Sequence, residues 1–274
     1  MPLPPMVIEA PALPAMPAGL LDAALGPLDM PAHLQTSGGV MESLACGEAR
    51  LYPTACDDTP PYPTMTPDDA DPNVVVYPFV VYASVICGTF GHDLRYDEQR
   101  ARARLQMGEA RAVELAFWGS GSGDVPGIVQ QIHAAAATPI LADAPNVVEA
   151  VSLLEQQMAT VYGGVPLIHA RPRMGAYLGA RGVLTERNPA RTHYGSVVVL
   201  GAGYSGIGPD GTAVDATSEF MLATGRVTVW RSEVVVPGVT EMVNTTTNQR
   251  RITALRNYAI AVECGVTSVQ VTRA

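Results

Sequence analysis

The sequence predicts a mixed α+β fold, and three stretches carry that prediction. Pro78 to Gly119 reads as an alternating strand, a break, and one long amphipathic helix that ends on Phe117 and Trp118. Asn146 to Gly164 reads as a second helix, with a capping residue at one end and a glycine pair at the other. From Gly195 to Thr272 the pattern shifts to short β-rich runs separated by glycine turns, which adds strands to the two helices.

In chain order, residues 1–35 hold eight prolines among Leu, Met and Ala, with almost no charge. Proline at that density excludes a regular helix or central strand over most of the segment and leaves a turn or two of helix over Ala18 to Leu25. Solvated tails are polar and charged. This apolar segment is therefore expected to be an arm lying against an adjacent subunit. Residues 36–77 contain Gly38-Gly39, a short strand expected at Ala49 to Tyr52, and then DDTPPYPTMTPDDADP, which suits a solvated loop. Its acids Asp57, Asp58, Asp68, Asp69 and Asp71 lack the alternate-position spacing of an EF-hand calcium loop.

Along the first helix, Ala101, Leu105, Gly108, Ala112 and Leu115 predict a packed stripe, with Arg100, Arg102, Arg104, Glu109, Arg111 and Glu114 on the opposite, wet side. Gly119, Gly121, Gly123 and Pro126 end it. Val125 to Ile140 reads as loop or weak strand, with a helical turn after His133. In the second helix Asn146 caps, Glu149 completes a capping-box pair, and Val147, Val151, Leu154 and Met158 form the stripe. A strand over Val165 to Ala170 follows, and Pro172 opens a shorter helix that stops near Gly182. Glu219 to Thr224 and Arg226 to Val236 predict a β-hairpin turning at Thr224-Gly225. Arg250 to Thr272 supplies two strands split near Gly265.

Composition narrows the function. With 274 residues and 47% hydrophobic content the chain can bury a large core, while only 16% charged residues fits a subunit that hides surface against neighbours. All 17 basic residues are arginine, and no lysine is present. A net charge of −9 argues against sequence-specific or tight DNA binding. Cys46, Cys56, Cys87 and Cys264 show no paired metal spacing. Cys87 and Cys264 are read as small buried apolar residues, and the thiols are expected to be reduced, with a Cys46–Cys56 disulfide or a zinc site with His92 as the alternatives. No apolar run reaches the roughly 20 residues of a membrane span, and nothing resembles a signal peptide, so cytoplasmic assembly is expected.

The order and spacing of Pro78-Phe79, Glu114, Phe117, Gly119, Gly127 and Ile128 resemble the major capsid protein of tailed phages. That is the Hong Kong 97-type fold, in particular its compact variant shared with encapsulin shells. The resemblance covers residues 40 to 274 and implies a division of the chain. Residues 1–35 become an N-terminal arm, 36–77 an extended-loop hairpin, and 78–164 a peripheral domain with a long spine helix. Residues 165–218 become an axial domain, and 219–274 strands completing both domains. It further implies a homo-oligomer of hexamers and pentamers in an icosahedral shell around DNA, with a portal and a scaffold or decoration protein as partners. An encapsulin-type compartment is the alternative within the fold.

A third reading comes from Gly195 to Gly208. Gly201, Gly203 and Gly206 match the dinucleotide-binding fingerprint after a Val-rich strand, which would make a flavin- or nicotinamide-dependent enzyme. That fingerprint needs a helix at its third glycine, and Pro209-Asp210-Gly211 breaks one. Ser205 lacks the glycine of a nucleophile elbow, because Ile207 stands there. The histidines His33, His92, His133, His169 and His193 are scattered, and His169 reads as a satisfied core residue. No catalytic, cofactor-binding or metal residue is therefore assigned.

Overall fold

The computed structural model describes residues 18–42, 73–88, 93–119, 138–140, 146–187, 189–206, 208, 217–237, 243–244 and 246–272. In chain order these form α1 (Leu20–Ala23), β1 (Leu25–Asp29), α2 (Ala32–Ser37), β2 (Gly39–Glu42), β3 (Asn73–Val76), β4 (Pro78–Gly88) and α3 (Leu94–Trp118). Then come β5 (Thr138–Pro139), α4 (Val147–Val161), β6 (Leu167–Ala170), α5 (Pro172–Ala180), β7 (Leu184–Arg187), β8 (Ala190–Thr192) and β9 (Val197–Leu200). The last are β10 (Ser218–Thr224), β11 (Val227–Arg231), β12 (Val243–Asn244), β13 (Gln249–Val262) and β14 (Val266–Thr272). No described helix is long and apolar enough to cross a membrane.

Two sheets organise these elements. The first runs β1-β11-β13-β12, with β4 also on β13, and the second runs β5-β14-β10-β6-β9-β8-β7. β13 is the axle of the first: Gln249 to Ala259 pair antiparallel with β4, and Tyr258 to Val262 pair with β11. β2 and β3 form a separate antiparallel ribbon, in register from Gly39–Val76 to Glu42–Asn73. The expected strand at Ala49 to Tyr52, the acidic loop and the turn after His133 lie outside the described residues.

The hairpin expected at Thr224-Gly225 does not form. β10 pairs with β14 and β6 in the second sheet, whereas β11 pairs with β1 and β13 in the first. The reason is burial. Every residue of β10 is buried, with Phe220 and Leu222 in one core and Met221 and Ala223 in the other. A strand covered on both faces belongs inside a layered stack, so the chain leaves one sheet and enters the next. The β13–β14 connection makes the same crossing alongside, through Cys264 and Gly265 at positive φ, and the Glu263 N–H donates to the Arg226 carbonyl at 3.0 Å.

Of the arm expected over residues 1–35, residues 1–17 lie outside the described residues and residues 18–35 pack on their own chain. Leu20 is buried in the core, Met30 and Leu34 help close a small apolar cluster, and β1 lies parallel to β11. Pro27 is tolerated there because β1 is an edge strand and its pairing is interrupted between Leu25 and Leu28.

α3 starts where Asp93 accepts from the Arg95 N–H and stops at Gly119, at φ 77. Its buried line is Asp97, Ala101, Leu105, Glu109, Val113 and Phe117, joined by Glu114 and Trp118. The predicted stripe is thus rotated: Gly108 is exposed, while Glu109 and Glu114 face inward. α4 follows expectation, with the Asn146 side chain accepting from the N–H groups of Val148 and Glu149 and all four stripe residues buried.

Candidate assembly surface

β4 divides the first sheet into two unlike faces. Phe79, Val81, Val85 and Cys87 point to α3, and the alternate residues Val80, Tyr82 and Ile86 are 52%, 64% and 65% exposed. β13 adds Arg251, Thr253 and Leu255 to this outer face, where Thr253 and Ser84 hydroxyls meet at 2.8 Å. Further along, α2 and the β2–β3 ribbon close over Ala259 and Ala261 with Met30, Leu34 and Val76. The ribbon then exposes Val40 and Val75. Among the described residues β4 pairs only with β13. A shallow cleft of about 470 Å³, lined by Tyr82, Ser84, Arg251, Arg104, Met107 and Gly108, wraps around its other edge. Among the described residues no second strand covers that edge, and it lies beside exposed Val, Ile and Tyr.

Buried polar contacts hold this face rigid from behind. Arg250 reaches Asp97 Oδ2 through Nε at 2.9 Å and Nη2 at 2.7 Å. Glu109 Oε2 accepts from Arg256 Nη1 at 2.8 Å and from the Tyr258 hydroxyl at 2.9 Å. Burial, followed by the Glu109 charge, pushes the Tyr258 hydroxyl up to about 12. Three even-numbered residues of β13 thereby clamp one turn-by-turn line of α3.

Glu114 ties three segments together. Its carboxylate accepts from the Leu20 N–H at 3.1 Å and the Gly203 N–H at 3.0 Å. Burial raises the carboxyl above its ordinary value despite those donors. Behind it, Phe117 and Trp118 stack near His169 and Tyr204, with ring centroids 4.8 Å apart in the Phe117–His169 and Trp118–Tyr204 pairs. The Thr224 hydroxyl donates to the Gly225 carbonyl, so His169 Nε2–H donates to Thr224 at 2.8 Å and the Tyr204 hydroxyl donates to Nδ1 at 2.9 Å. His169 is a satisfied core residue, as its sequence context suggested.

The glycine fingerprint has a packing explanation. After β9 the residues Gly201 to Gly206 form turns, with no helix over them. A Cβ on Gly203 would fall inside contact distance of the Arg111 carbonyl and 2.7 Å from the Leu115 nitrogen. The glycine lets the turn lie directly on α3, so the space a pyrophosphate would need is filled by the helix. Among the described residues no three His, Cys, Asp or Glu side chains gather as metal ligands.

Cysteine chemistry departs from expectation at one position. Cys87 is a buried free thiol, and burial raises its pKa. Cys264 was read as a buried strand residue. Instead it sits half-buried in the β13–β14 turn at φ 61 and is disulfide-bonded.

No family model and no curated protein matches the chain by sequence. Solved structures do match by shape. One from Mycobacterium phage Adephagia aligns over 98% of this chain and 95% of its own at 14% identity, with a TM-score of 0.56. The capsid of a native GTA particle aligns over 99% and 95% at 13% identity, with a TM-score of 0.56. The fold is the Hong Kong 97-type capsid fold. The capsid of Ralstonia phage GP4 aligns over 98% of this chain and 96% of its own, at 13% identity and a TM-score of 0.50. At such identities the likeness is one of architecture.

Proposed function

We propose that this chain is a major capsid subunit, many copies of which tile the icosahedral head shell that encloses phage DNA. The observation that carries this reading is the outer face of β4 and β13: an apolar sheet face beside a strand edge that no described strand covers, held rigid by buried ion pairs. In this reading residues 36–77 form the extended loop, whose base is the β2–β3 ribbon, and reach over a neighbour. Residues 78–164 form the peripheral domain, 165–218 the axial domain, and 219–274 the strands completing both. The function is mechanical, with no reaction catalysed. Several neighbours hold each subunit at once, so modest individual contacts add to a stable shell. With no lysine in the chain, isopeptide cross-linking plays no part. Portal and scaffold or decoration proteins would join during assembly in the host cytoplasm.

The test is size-exclusion chromatography with negative-stain electron microscopy on the purified chain, alone and with the head proteins encoded beside it. Closed shells of uniform diameter are expected. Shells that enclose a co-expressed enzyme would favour the encapsulin reading, and a cofactor absorbance spectrum in a monomer or dimer would favour the enzyme built on Gly201 to Gly206.

A further inference from the structure

Arginine dominates the outward side of α3, where the partly exposed Glu98 is the one acid between Arg95 and Arg111 that is not buried. Arg95, Arg100, Arg102, Arg104 and Arg111 are all exposed. Between Gln99 and Ala112 the one acid is Glu109, which is buried and paired with Arg256. The arginines stand on both flanks of the helix, as successive residues turn by about 100°. Arg104 Nη1 donates to the Ser84 carbonyl of β4 at 3.2 Å, and Arg102 Nη1 donates to the Val234 carbonyl at 3.1 Å. Between these two rails runs an exposed neutral strip of Gln99, Ala103 and Gln106. From Arg95 to Arg111 the rails extend about 24 Å. In a chain with a net charge of −9 this is a local inversion of sign.

Its position in the fold says what it faces. α3 covers the Phe79, Val81 and Tyr258 side of the first sheet, whereas the ribbon and the exposed Val80, Tyr82 and Ile86 lie on the other side. Neighbouring copies that cover the second side leave the α3 side free of that contact. We propose that the arginine rails of α3 contact the phosphate backbone of the enclosed double-stranded DNA without reading its sequence. This rests on the shell reading above. Guanidinium groups suit phosphate oxygens in planar, charge-assisted pairs, and contacts to the backbone alone carry no sequence information. The acidic remainder of the chain keeps each contact weak, so DNA can slide over the wall while it is packed.

The test measures fluorescence anisotropy of two short DNA duplexes of unrelated sequence with full-length dissociated subunits, across a salt series. Both duplexes should bind equally at low salt, and affinity should fall with salt at a log–log slope of about −0.9 per phosphate neutralised. The double variant Arg95→Gln with Arg111→Gln should melt at the wild-type temperature, bind several-fold more weakly, and show a slope smaller by about 2. Equal binding by wild type and variant overturns the proposal. So does a poly-glutamate probe that binds as tightly as DNA with the same arginine dependence, which would assign the rails to an acidic protein surface. Electron microscopy of the undissociated chain, alone and with the head proteins encoded beside it, reads shell formation separately. Shells without duplex binding defeat this inference alone, and duplex binding without shells defeats the capsid reading.

Discussion

β10 and β4 are both apolar strands, and the chain treats them in opposite ways. β10 has partners on both edges and a core on each face, so all of SEFMLAT is buried. β4 has one described partner and one covered face, and its other face holds Val80, Tyr82 and Ile86 in the open. The first strand is finished by its own chain. Leaving the second unfinished exposes apolar surface that burial would stabilise by about 25 cal/mol per Å², and a second copy can supply that cover.

The contrast predicts unequal costs for similar changes. Met221→Ala in β10 should lower stability by about 3 kcal/mol, because both the methionine contacts and the space it fills are lost, whereas Ile86→Ala in β4 should cost the isolated subunit less than about 0.5 kcal/mol. Chemical denaturation of the two variants reads this difference directly, and equal losses would break the comparison. Arg256→Met should cost nearly as much as the first change, about 3 kcal/mol, since Glu109 would be left as a buried charge without its cation. A second change of Glu109→Gln in that background should recover part of the loss, which distinguishes a stranded charge from lost packing.

A smaller effect tests the polar tie between α3 and the N-terminal segment. Burial raises the Glu114 carboxyl above 4.5, so the folded chain holds that proton to higher pH than the unfolded chain does. The contribution to stability is therefore fully present below 4.5 and is lost as pH rises through the raised folded value. Glu114→Gln should flatten that segment of the stability–pH profile, measured by urea unfolding at a series of mildly acidic pH values. An unchanged profile would show that Glu114 does not titrate in this range.

Much of the architecture was legible because it depends on local chemistry. Asn146 with its apolar stripe, Pro172 at a helix start and Gly119 at a helix stop each fix an element within a few residues. The family resemblance was readable from the order of such elements. What escaped was decided by distant partners. Glu109 looks like a surface acid until β13 is folded beside it. The signal was present: Arg250, Arg256 and Tyr258 share the even face of one strand, and Asp97 and Glu109 share the four-residue line through Ala101 and Leu105. The hairpin at Thr224-Gly225 failed for the same reason, because alternation along β10 separates two cores rather than core from solvent. Residues 18–35 were hidden by proline content, which describes conformations the chain must avoid and not the surface it finally covers.

The measurement that tests the central claim most directly is particle yield for Ile86→Asp, read by sedimentation velocity under conditions where the wild-type chain forms shells. Thermal melting of the subunit is recorded in parallel. The account predicts a subunit that melts as the wild type does and forms no closed particles. Full particle yield from a folded Ile86→Asp chain would contradict it, because the outer face of β4 would then be open surface that no neighbour uses.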